Sequence, residues 1–400
     1  MQSALRGVIG ILGFGVDGQC IAEFLGGEPE VKEVRVFDDT RGTTLDGVDL
    51  LFRSPGFPLT HPLVKEAKKR GIPITSSTTY FLEQYPGKTV GITGSNGKTT
   101  CTTLIAEMLR AEFGKENVEE GGNDRKPRLD LLKTSKSFVV LELSSFQLID
   151  CPFSPNVAIV LNLTPNHLDW HASMKEYAEA KRQIVSHQKE GDIAILNDAD
   201  PIVKTFARKL QGTVRWFDKN TPFDDVLCKS HPDTIRAAVT AARVCGVSED
   251  HILHVLRTFP GVSHRMEFVR ELDGVKWFND SSCTTPESAI VACNAFEPGT
   301  LILLLGGRDK KMDFSKLYEV IKDRRVRVVP FGEMGSIFKQ HISTHYPLPT
   351  THSLKEVIAA ARSLAKSGDN VVLSPACASF DMFQNAKERG KIFGELVRAL

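Results

Sequence analysis

The chain has 400 residues, of which 41% are hydrophobic and 25% are charged, and its formal net charge is +1. This length exceeds what one hydrophobic core usually organises, so two or three domains are expected. The balanced charge argues against a general attraction to nucleic acid or to an anionic membrane surface.

The N-terminal residues, Met1–Gly7, lead directly into an apolar segment and lack the three regions of a signal peptide. No apolar run approaches the roughly 20 residues that cross a bilayer, so we expect no membrane insertion. The eight cysteines are scattered and form no C-x-x-C pair, which favours reduced thiols. The sequence therefore predicts a cytoplasmic protein.

Short apolar segments alternate with segments of helical periodicity, which predicts parallel sheets covered by helices. The predicted strands are Val8–Leu12, Val34–Phe37, Val48–Phe52, Thr89–Thr93, Phe138–Leu143, Val157–Leu163, Val275–Phe278, Leu301–Leu305, Val326–Phe331 and Val371–Leu373. The predicted helices are Pro62–Arg70, Thr99–Glu112, Thr234–Cys245 and Phe383–Leu400. Turn signals near Gln84–Lys88 and Phe259–Val262 predict two breaks and hence three α/β domains.

A Gly-x-Gly-x-x-Gly motif, Gly13, Gly15 and Gly18, joins the first strand to a helix, and Asp38 and Asp39 follow about 20 residues later. In a Rossmann interpretation, the glycines admit a pyrophosphate and the acid binds a ribose, which predicts an NAD enzyme. Any tight strand–helix unit requires similar glycines. Both interpretations leave a helix N-terminus open to a phosphorylated nucleotide.

A second glycine-rich loop joins a strand to a helix and is typical of phosphate binding. It consists of Gly94, Ser95, Asn96, Gly97, Lys98, Thr99 and Thr100. The backbone N–H groups of residues 94–97 can surround phosphates, Lys98 can neutralise the β- and γ-oxygens, and Thr99 can offer its hydroxyl to Mg²⁺. The spacing is not the strict Walker spacing, because Gly91 lies one residue too early. The loop predicts ATP binding.

Polar groups follow the next strands of the central region. Glu142 ends an apolar segment, and a carboxylate near a phosphate loop can hold the Mg²⁺ that bridges ATP phosphates. His167 follows the next strand, although an isolated histidine is more often a surface or structural residue. Lys181 lies at helical spacing, which by itself favours a solvated helix face.

These segments resemble the Mur ligase family. The loop variant is also seen in folylpolyglutamate synthases. It is followed in the family's order by Glu-Leu-Ser-Ser-Phe-Gln at 142–147, Asn-His-Leu-Asp at 166–169 and Ala-Lys-Arg at 180–182. The C-terminal third adds Pro-Gly-Val-Ser-His-Arg-Met-Glu at 260–267, Asn-Asp-Ser-Ser at 279–282, Leu-Gly-Gly-Arg-Asp-Lys at 305–310 and Ser-Pro-Ala-Cys-Ala-Ser-Phe-Asp at 374–381. The likeness spans the whole chain and favours the branch that adds D-glutamate.

The resemblance implies an α/β fold with three domains. Residues 1–87 would form a Rossmann-like domain that binds a UDP-linked precursor. Residues 88–260 would form a central, P-loop ATPase-like parallel sheet that binds ATP, and residues 261–400 a Rossmann-like domain that binds the amino acid.

The resemblance also implies site residues. Lys98 would act on the ATP phosphates, and two Mg²⁺ ions would be held by Thr99, Glu142, His167 and a carbamylated Lys181. The nucleotide would be bound by the phosphate loop together with Arg265, Asn279 and Asp280. The precursor would be bound by Gly13, Phe14, Gly15, Asp39, Thr40, Arg41, Ser54, Pro55, Gly56, Asn123 and Ser144. The amino acid would be bound by Thr284, Lys310 and Ser379.

The implied activity is ATP-dependent ligation of D-glutamate to UDP-N-acetylmuramoyl-L-alanine through an acyl phosphate, by a monomer. Ser282 stands where the family has lysine, and Ala386 where an aromatic residue is expected. These departures leave open a sister Mur ligase or a folylpolyglutamate synthase that adds another amino acid, and a nucleotide-binding relic without catalysis. An NAD-linked oxidoreductase would explain residues 13–18 but would leave residues 94–100 without a role.

Overall fold

The computed structural model describes residues 5–38, 44–122, 129–133, 136–164, 170–217, 231–310, 312–342 and 353–400. The chain divides into two compact units. The first comprises the described residues up to 217 together with 233–252, and the second comprises residues 231–232 and the described residues from 253 to 400. The described residues form three sheets, two in the first unit and one in the second.

The first sheet is parallel and has the strand order β2-β1-β3-β4. Its strands are β1 (Gly7–Leu12), β2 (Val31–Phe37), β3 (Leu50–Arg53) and β4 (Ile74–Thr75). The helices that accompany it are α1 (Val16–Leu25), α2 (Pro62–Arg70) and α3 (Ser77–Gln84). Every residue of β3 is buried, including its terminal arginine, as expected for a strand covered on both faces.

The second sheet is also parallel, with the order β10-β9-β8-β5-β7-β6. Its strands are β5 (Lys88–Thr93), β6 (Val118–Gly122), β7 (Phe138–Glu142), β8 (Val157–Val160), β9 (Ile193–Leu196) and β10 (Thr213–Trp216). Its helices are α4 (Lys98–Phe113), α5 (Ser145–Leu148), α6 (Met174–Ser186), α7 (Pro201–Thr205) and α8 (Pro232–Val244). Because β5 lies between β7 and β8, the chain leaves β5 at a topological switch point, where α/β proteins bind ligands.

Helix α9 (Glu249–Thr258) contains the boundary between the units. The third sheet follows it, with the order β11-β12-β15-β13-β14 and only β11 antiparallel among the described pairs. Its strands are β11 (Glu267–Leu272), β12 (Val275–Asn279), β13 (Leu301–Gly306), β14 (Arg327–Phe331) and β15 (Asn370–Ala376). Its helices are α10 (Pro286–Asn294), α11 (Ser315–Asp323), α12 (Gly335–His341), α13 (Leu354–Leu364) and α14 (Ala386–Arg398).

The predicted α/β class with parallel sheets is confirmed. Each of the predicted segments 1–87, 88–260 and 261–400 contains one sheet, while the first two sheets belong to one compact unit, so the division into three domains stays a prediction. Helix α14 begins at Ala386 and not at Phe383, because the Asn385 side chain accepts a hydrogen bond from the Glu388 N–H and caps the helix there. Among the helices that the structure describes, none is both long and apolar enough to span a bilayer.

Replacing Gly18 by alanine should destabilise the first unit. A Cβ at Gly18 would lie 2.1 Å from the Gly13 carbonyl oxygen, whereas a Cβ at Gly15 would meet no atom within 4 Å. We expect Gly18→Ala to lower the free energy of unfolding by about 1–3 kcal/mol, and Gly15→Ala to lower it by less than about 1 kcal/mol. Urea unfolding followed by circular dichroism measures both, and equal losses would contradict the close approach.

Candidate functional site

The glycine-rich loop between β5 and α4 is tightly enclosed. Gly97 precedes α4 with φ of 83°, and a Cβ there would lie 2.5 Å from Thr234 Oγ1 at the start of α8. Gly94 has φ of 155°, and a Cβ there would lie 2.9 Å from Leu161 Cβ. Both positions therefore require glycine for conformation and for space.

The loop is held by the segment that follows β8. Ser95 N–H donates to the Asn162 carbonyl (2.8 Å), and Asn96 N–H donates to Asn162 Oδ1 (2.9 Å). Ser95 Oγ also donates to the Thr164 carbonyl (3.0 Å). Two of the N–H groups that the sequence assigns to phosphates are thus bonded to protein, and ATP binding by the loop stays a prediction. Phosphate binding is instead expected at the N-terminus of α4, where the helix dipole favours an anion.

Lys98 lies over the loop that precedes it. Its Nζ donates to the carbonyl oxygens of Gly94 (3.1 Å) and Ser95 (3.2 Å). Thr99 and Thr100 follow in the first turn of α4, where Thr99 is half-buried and Thr100 is buried. The Lys98 ammonium group thus lies against the glycine-rich loop, and its contact with ATP phosphates stays a prediction.

Lys181 lies on the buried face of α6 and is only 2% exposed. Its Nζ donates to the Gly94 carbonyl (3.0 Å) and to Thr93 Oγ1 (3.2 Å), and it lies 4.9 Å from the centre of the Tyr177 ring. Burial, reinforced by the charge of Lys98, lowers the pKa of Lys181 well below its usual range, while the charge of Glu142 raises it. The solvated face suggested by spacing alone is wrong, because this helix packs on the phosphate loop.

Glu142 is the last residue of β7 and is 4% exposed. It pairs in register with Ile92 of β5, directly before the phosphate loop. Ser144 follows it, and its backbone N–H donates to Gln147 Oε1 at the start of α5 (2.8 Å). Glu142 therefore lies beside the phosphate loop.

Several predicted site residues lie outside the described residues, namely Asp39, Thr40, Arg41, Asn123 and His167. Among the residues that are described, no group of three or more His, Cys, Asp or Glu side chains could hold a metal ion.

The glycine turn after β1 meets the loop after β3. Gly13 N–H donates to the Phe37 carbonyl (2.7 Å), and Ser54 Oγ donates to the Gly13 carbonyl (2.9 Å). Phe14 and Gly15 complete the turn, and Pro55 and Gly56 follow Ser54. The structure therefore brings these predicted precursor contacts to one edge of the first sheet.

In the second unit, the predicted amino-acid contacts follow three neighbouring parallel strands. Thr284 follows β12, Lys310 follows β13 and Ser379 follows β15. The last two loops are paired, because the Arg308 N–H donates to the Ala378 carbonyl (2.9 Å) and the Ala378 N–H donates back (3.1 Å). Ser379 is buried and Lys310 is exposed, so the loops present both a hydroxyl and a cation at this edge.

Sequence reasoning missed Arg389, a fully buried arginine on α14. It donates from Nε to Ser281 Oγ (3.0 Å), and from Nη2 to the carbonyls of Ser281 (2.9 Å) and Cys377 (3.3 Å). Burial lowers the pKa of Arg389 to about 10, which leaves it charged at neutral pH. Arg389 thereby ties the loop after β12 to the loop after β15. Its place on the apolar face of α14, in line with Phe393 and Val397, could have indicated from the sequence that this arginine is buried.

Arg265 lies in a strained loop. Its neighbours His264 and Met266 have φ of 64° and 48°, which non-glycine residues seldom adopt. Asn279 Nδ2 bonds His264 Nδ1 (2.9 Å), and Asp280 Oδ1 accepts from the Met266 N–H (3.2 Å). Asn279 and Asp280, predicted as nucleotide contacts, are thus buried supports of the loop that carries the exposed Arg265.

Comparison with known proteins gives two family matches. Residues 92–242 match the model described as Mur ligase middle domain. Residues 264–377 match the model described as Mur ligase, glutamate ligase domain. The phosphate loop, Glu142 and Lys181 lie inside the first match, and Arg389 lies beyond the second.

Two similar proteins carry the name UDP-N-acetylmuramoylalanine--D-glutamate ligase. The protein from Symbiobacterium thermophilum is 36% identical, over 88% of this chain and 84% of that protein. The protein from Clostridium perfringens is 38% identical, over 88% of this chain and 83% of that protein. The solved MurF ligase from Thermotoga maritima in complex with ADP aligns with a TM-score of 0.60 at 18% identity, over 99% of this chain and 96% of that one. That likeness supports the fold alone.

Replacing Asp280 by asparagine should change how stability depends on pH. Burial raises the pKa of Asp280 to about 7, against hydrogen bonds from Ser374 and Met266 that lower it. Between about pH 4 and pH 7 the folded chain therefore keeps a proton that the unfolded chain has lost, so stability falls with rising pH by up to about 1.4 kcal/mol per pH unit. The asparagine amide in the variant does not titrate in this range.

Calorimetric scans of both proteins at pH 5, 6, 7 and 8 would measure this effect. The thermal midpoint of Asp280→Asn, relative to that of the unmodified protein, should rise as the pH increases from 5 to 8. A difference between the two midpoints that does not change with pH would contradict the raised pKa.

Proposed function

The chain belongs to the Mur ligase family, and we propose that it ligates D-glutamate to UDP-N-acetylmuramoyl-L-alanine with hydrolysis of ATP to ADP and phosphate. The observation that supports this most is that relatives with 36% and 38% identity across 88% of the chain carry that ligase's name. The reaction would supply a precursor for peptidoglycan synthesis. Its location in the cytoplasm stays a prediction from the sequence, and the monomeric state stays a prediction from the resemblance.

The chemistry must first activate a carboxylate, because a carboxylate is a poor electrophile toward an amine. We propose that an oxygen of the precursor's terminal carboxylate bonds to the γ-phosphorus of ATP, and that the bond to the ADP oxygen breaks. The amine nitrogen of D-glutamate then bonds to the acyl carbon of this acyl phosphate, phosphate leaves with the bonding electrons, and the nitrogen loses a proton. The product is an amide.

The residues at the phosphate loop suit the first step. The N-terminus of α4 and the Lys98 ammonium offer positive charge where the β- and γ-phosphates would lie. Mg²⁺ bound by Thr99, Glu142, His167 and a modified Lys181 would neutralise further phosphate charge. Arg265 in the second unit is proposed as another phosphate ligand.

We propose carbamylation of Lys181 from the resemblance to the Mur ligase family, and the surroundings of this side chain support it. CO₂ reacts with a neutral amine, and burial lowers the pKa of this amine, which favours the neutral form. The reaction forms an N–C bond and releases a proton, and it replaces a buried cation by an anionic oxygen ligand. Such a group beside Glu142 would suit a hard cation such as Mg²⁺.

The two substrates are assigned to different parts of the chain, the precursor to motifs in its N-terminal part and D-glutamate to motifs in its C-terminal part. The precursor is proposed to contact the turn Gly13–Gly15, the loop Ser54–Gly56 and Ser144, with Asp39, Thr40, Arg41 and Asn123 as further contacts. D-Glutamate is proposed to contact Thr284, Lys310 and Ser379, since a cation and hydroxyl donors suit a carboxylate. Ser282 and Ala386 make a different amino acid the main alternative.

Phosphate release should require both proposed substrates. We expect ATP and Mg²⁺ to yield phosphate only when UDP-N-acetylmuramoyl-L-alanine and D-glutamate are present, with other D- and L-amino acids tested in parallel. Release with another amino acid would keep the family's chemistry but overturn the proposed specificity. No release with any amino acid, from a folded protein that binds ATP, would identify a nucleotide-binding relic.

Within the same assay, Lys98→Ala should abolish ADP formation, because the loop would lose the cation that faces the phosphates. Lys115→Ala provides a matched control, since Lys115 is exposed beyond the far end of α4. We expect that control to retain full turnover. Substantial turnover by Lys98→Ala would argue against the assignment of the phosphate loop.

Lys181 should carry a carbamate, and this modification can be detected without measuring enzymatic turnover. Protein equilibrated with ¹³C-bicarbonate near neutral pH is expected to give a carbamate carbon signal by NMR. Lys181→Arg is the control that keeps a cation, and it should lose the signal because a guanidinium does not give up its proton. A signal that persists in Lys181→Arg would place the modification elsewhere.

A further inference from the structure

Arg53 is a fully buried arginine at the end of β3, in the first unit, and none of the proposed reaction steps uses it. Its guanidinium lies between the loop after β3 and the segment around α5 of the second sheet. These two segments belong to different sheets of the same compact unit. Arg53 is therefore a direct link between the two sheets.

One side of the guanidinium binds the loop that carries three proposed precursor contacts. Nη1 lies within hydrogen-bond distance of the carbonyl oxygens of Phe57 (2.9 Å), Pro55 (3.2 Å) and Ser54 (3.3 Å). Ser54 in turn bonds Gly13, so this side of Arg53 supports both loops at the edge of the first sheet.

The other side of the guanidinium binds the segment that follows β7, the strand that ends at Glu142. Nε and Nη2 form a bidentate pair with Asp150, at 2.8 Å and 2.6 Å, and Nη2 also donates to the Phe146 carbonyl (3.2 Å). Helix α5, which contains Phe146, begins directly after Ser144 and three residues after Glu142.

The geometry of this link is rigid. A guanidinium is planar and holds its five N–H donors in fixed directions. Here Nη1 faces the carbonyl oxygens of the loop after β3, and Nε and Nη2 face Asp150 and Phe146. A lysine could not satisfy both sides at once. A buried ion pair is by itself weak evidence for stability, so the more informative fact is which two segments the pair connects.

We propose that Arg53 is a positioning residue that fixes the separation between the diphosphate end of the precursor and its reacting carboxylate. This inference rests on the proposed function, in which the diphosphate lies at the first sheet and the carboxylate at the phosphate loop of the second. A precursor that binds at both places is phosphorylated efficiently only if the two places are held at the matching distance, because small displacements of reacting atoms cost large factors in rate.

Asp150→Asn tests the link, because it leaves the bonds from Nη1 to the loop after β3 in place. We expect the dissociation constant of UDP alone and the KM for ATP to change by less than about twofold. The kcat/KM for the precursor should fall by at least about tenfold, since only the full precursor spans both sheets. Isothermal titration gives the dissociation constants of UDP and of the precursor, and steady-state phosphate release gives the KM for ATP and the kcat/KM for the precursor.

Glu33→Gln is the matched control, because it makes the same chemical change in an exposed bidentate pair with Arg35 on β2. It should leave every constant unchanged. Arg53→Met provides a second variant and should reproduce the loss for the precursor, with an added loss of UDP affinity because the loop also loses its support.

Two outcomes for Asp150→Asn would overturn the proposal. Equal losses of affinity for UDP and for the precursor would show that the ion pair supports only the loop after β3. An unchanged kcat/KM for the precursor would show that the link between the sheets does not affect the reaction. Failure of the proposed function is distinguishable, since the unmodified protein would then not turn over with D-glutamate. The ratio of precursor affinity to UDP affinity would still test Arg53 in that case, and it should fall in Asp150→Asn.

Discussion

The parallel direction of neighbouring strands is the constraint on which both units depend. In the first unit, the carboxyl ends of β5, β7 and β8 meet at one edge, so the phosphate loop, Glu142 and the Asn162 segment become neighbours although they are far apart in sequence. In the second unit, β12, β15 and β13 do the same for three polar loops. Polar loop residues gather at these edges because the strands themselves are buried and carry mostly apolar side chains.

Buried cations connect the segments at these edges, and they do so in two ways. Arg53 and Arg389 are surrounded by carbonyl, hydroxyl or carboxylate acceptors that compensate for the lost water. Lys181 donates to a carbonyl and a hydroxyl oxygen, and burial lowers its pKa well below its usual range. Arginine therefore serves as the connector between separate loops, because its planar guanidinium offers five N–H donors in fixed directions.

The glycine turns, most of the buried strands and the polar strand ends could be predicted from the sequence, because each leaves a local pattern, whereas the buried strand β9 was missed. Strand β6 could not, since Val-Glu-Glu-Gly-Gly has no apolar alternation and forms only by pairing with β7. Strand β10 is mostly exposed at the sheet edge and gives the same difficulty. The burial of Lys181 and the partners of Arg53 depend on contacts between distant segments, which no local spacing encodes. Asn162 likewise occupies N–H groups that the loop motif alone would assign to phosphate.

The strained loop around Arg265 has a consequence for how function would be mapped genetically. Left-handed conformations at His264 and Met266 carry a conformational cost that Asn279 and Asp280 help to offset through their hydrogen bonds. A substitution at either supporting residue would therefore release the loop as well as remove a polar group. Alanine scanning of this strand end will overstate direct recognition of a ligand, and covariation between positions 264–266 and 279–280 will reflect a shared backbone shape.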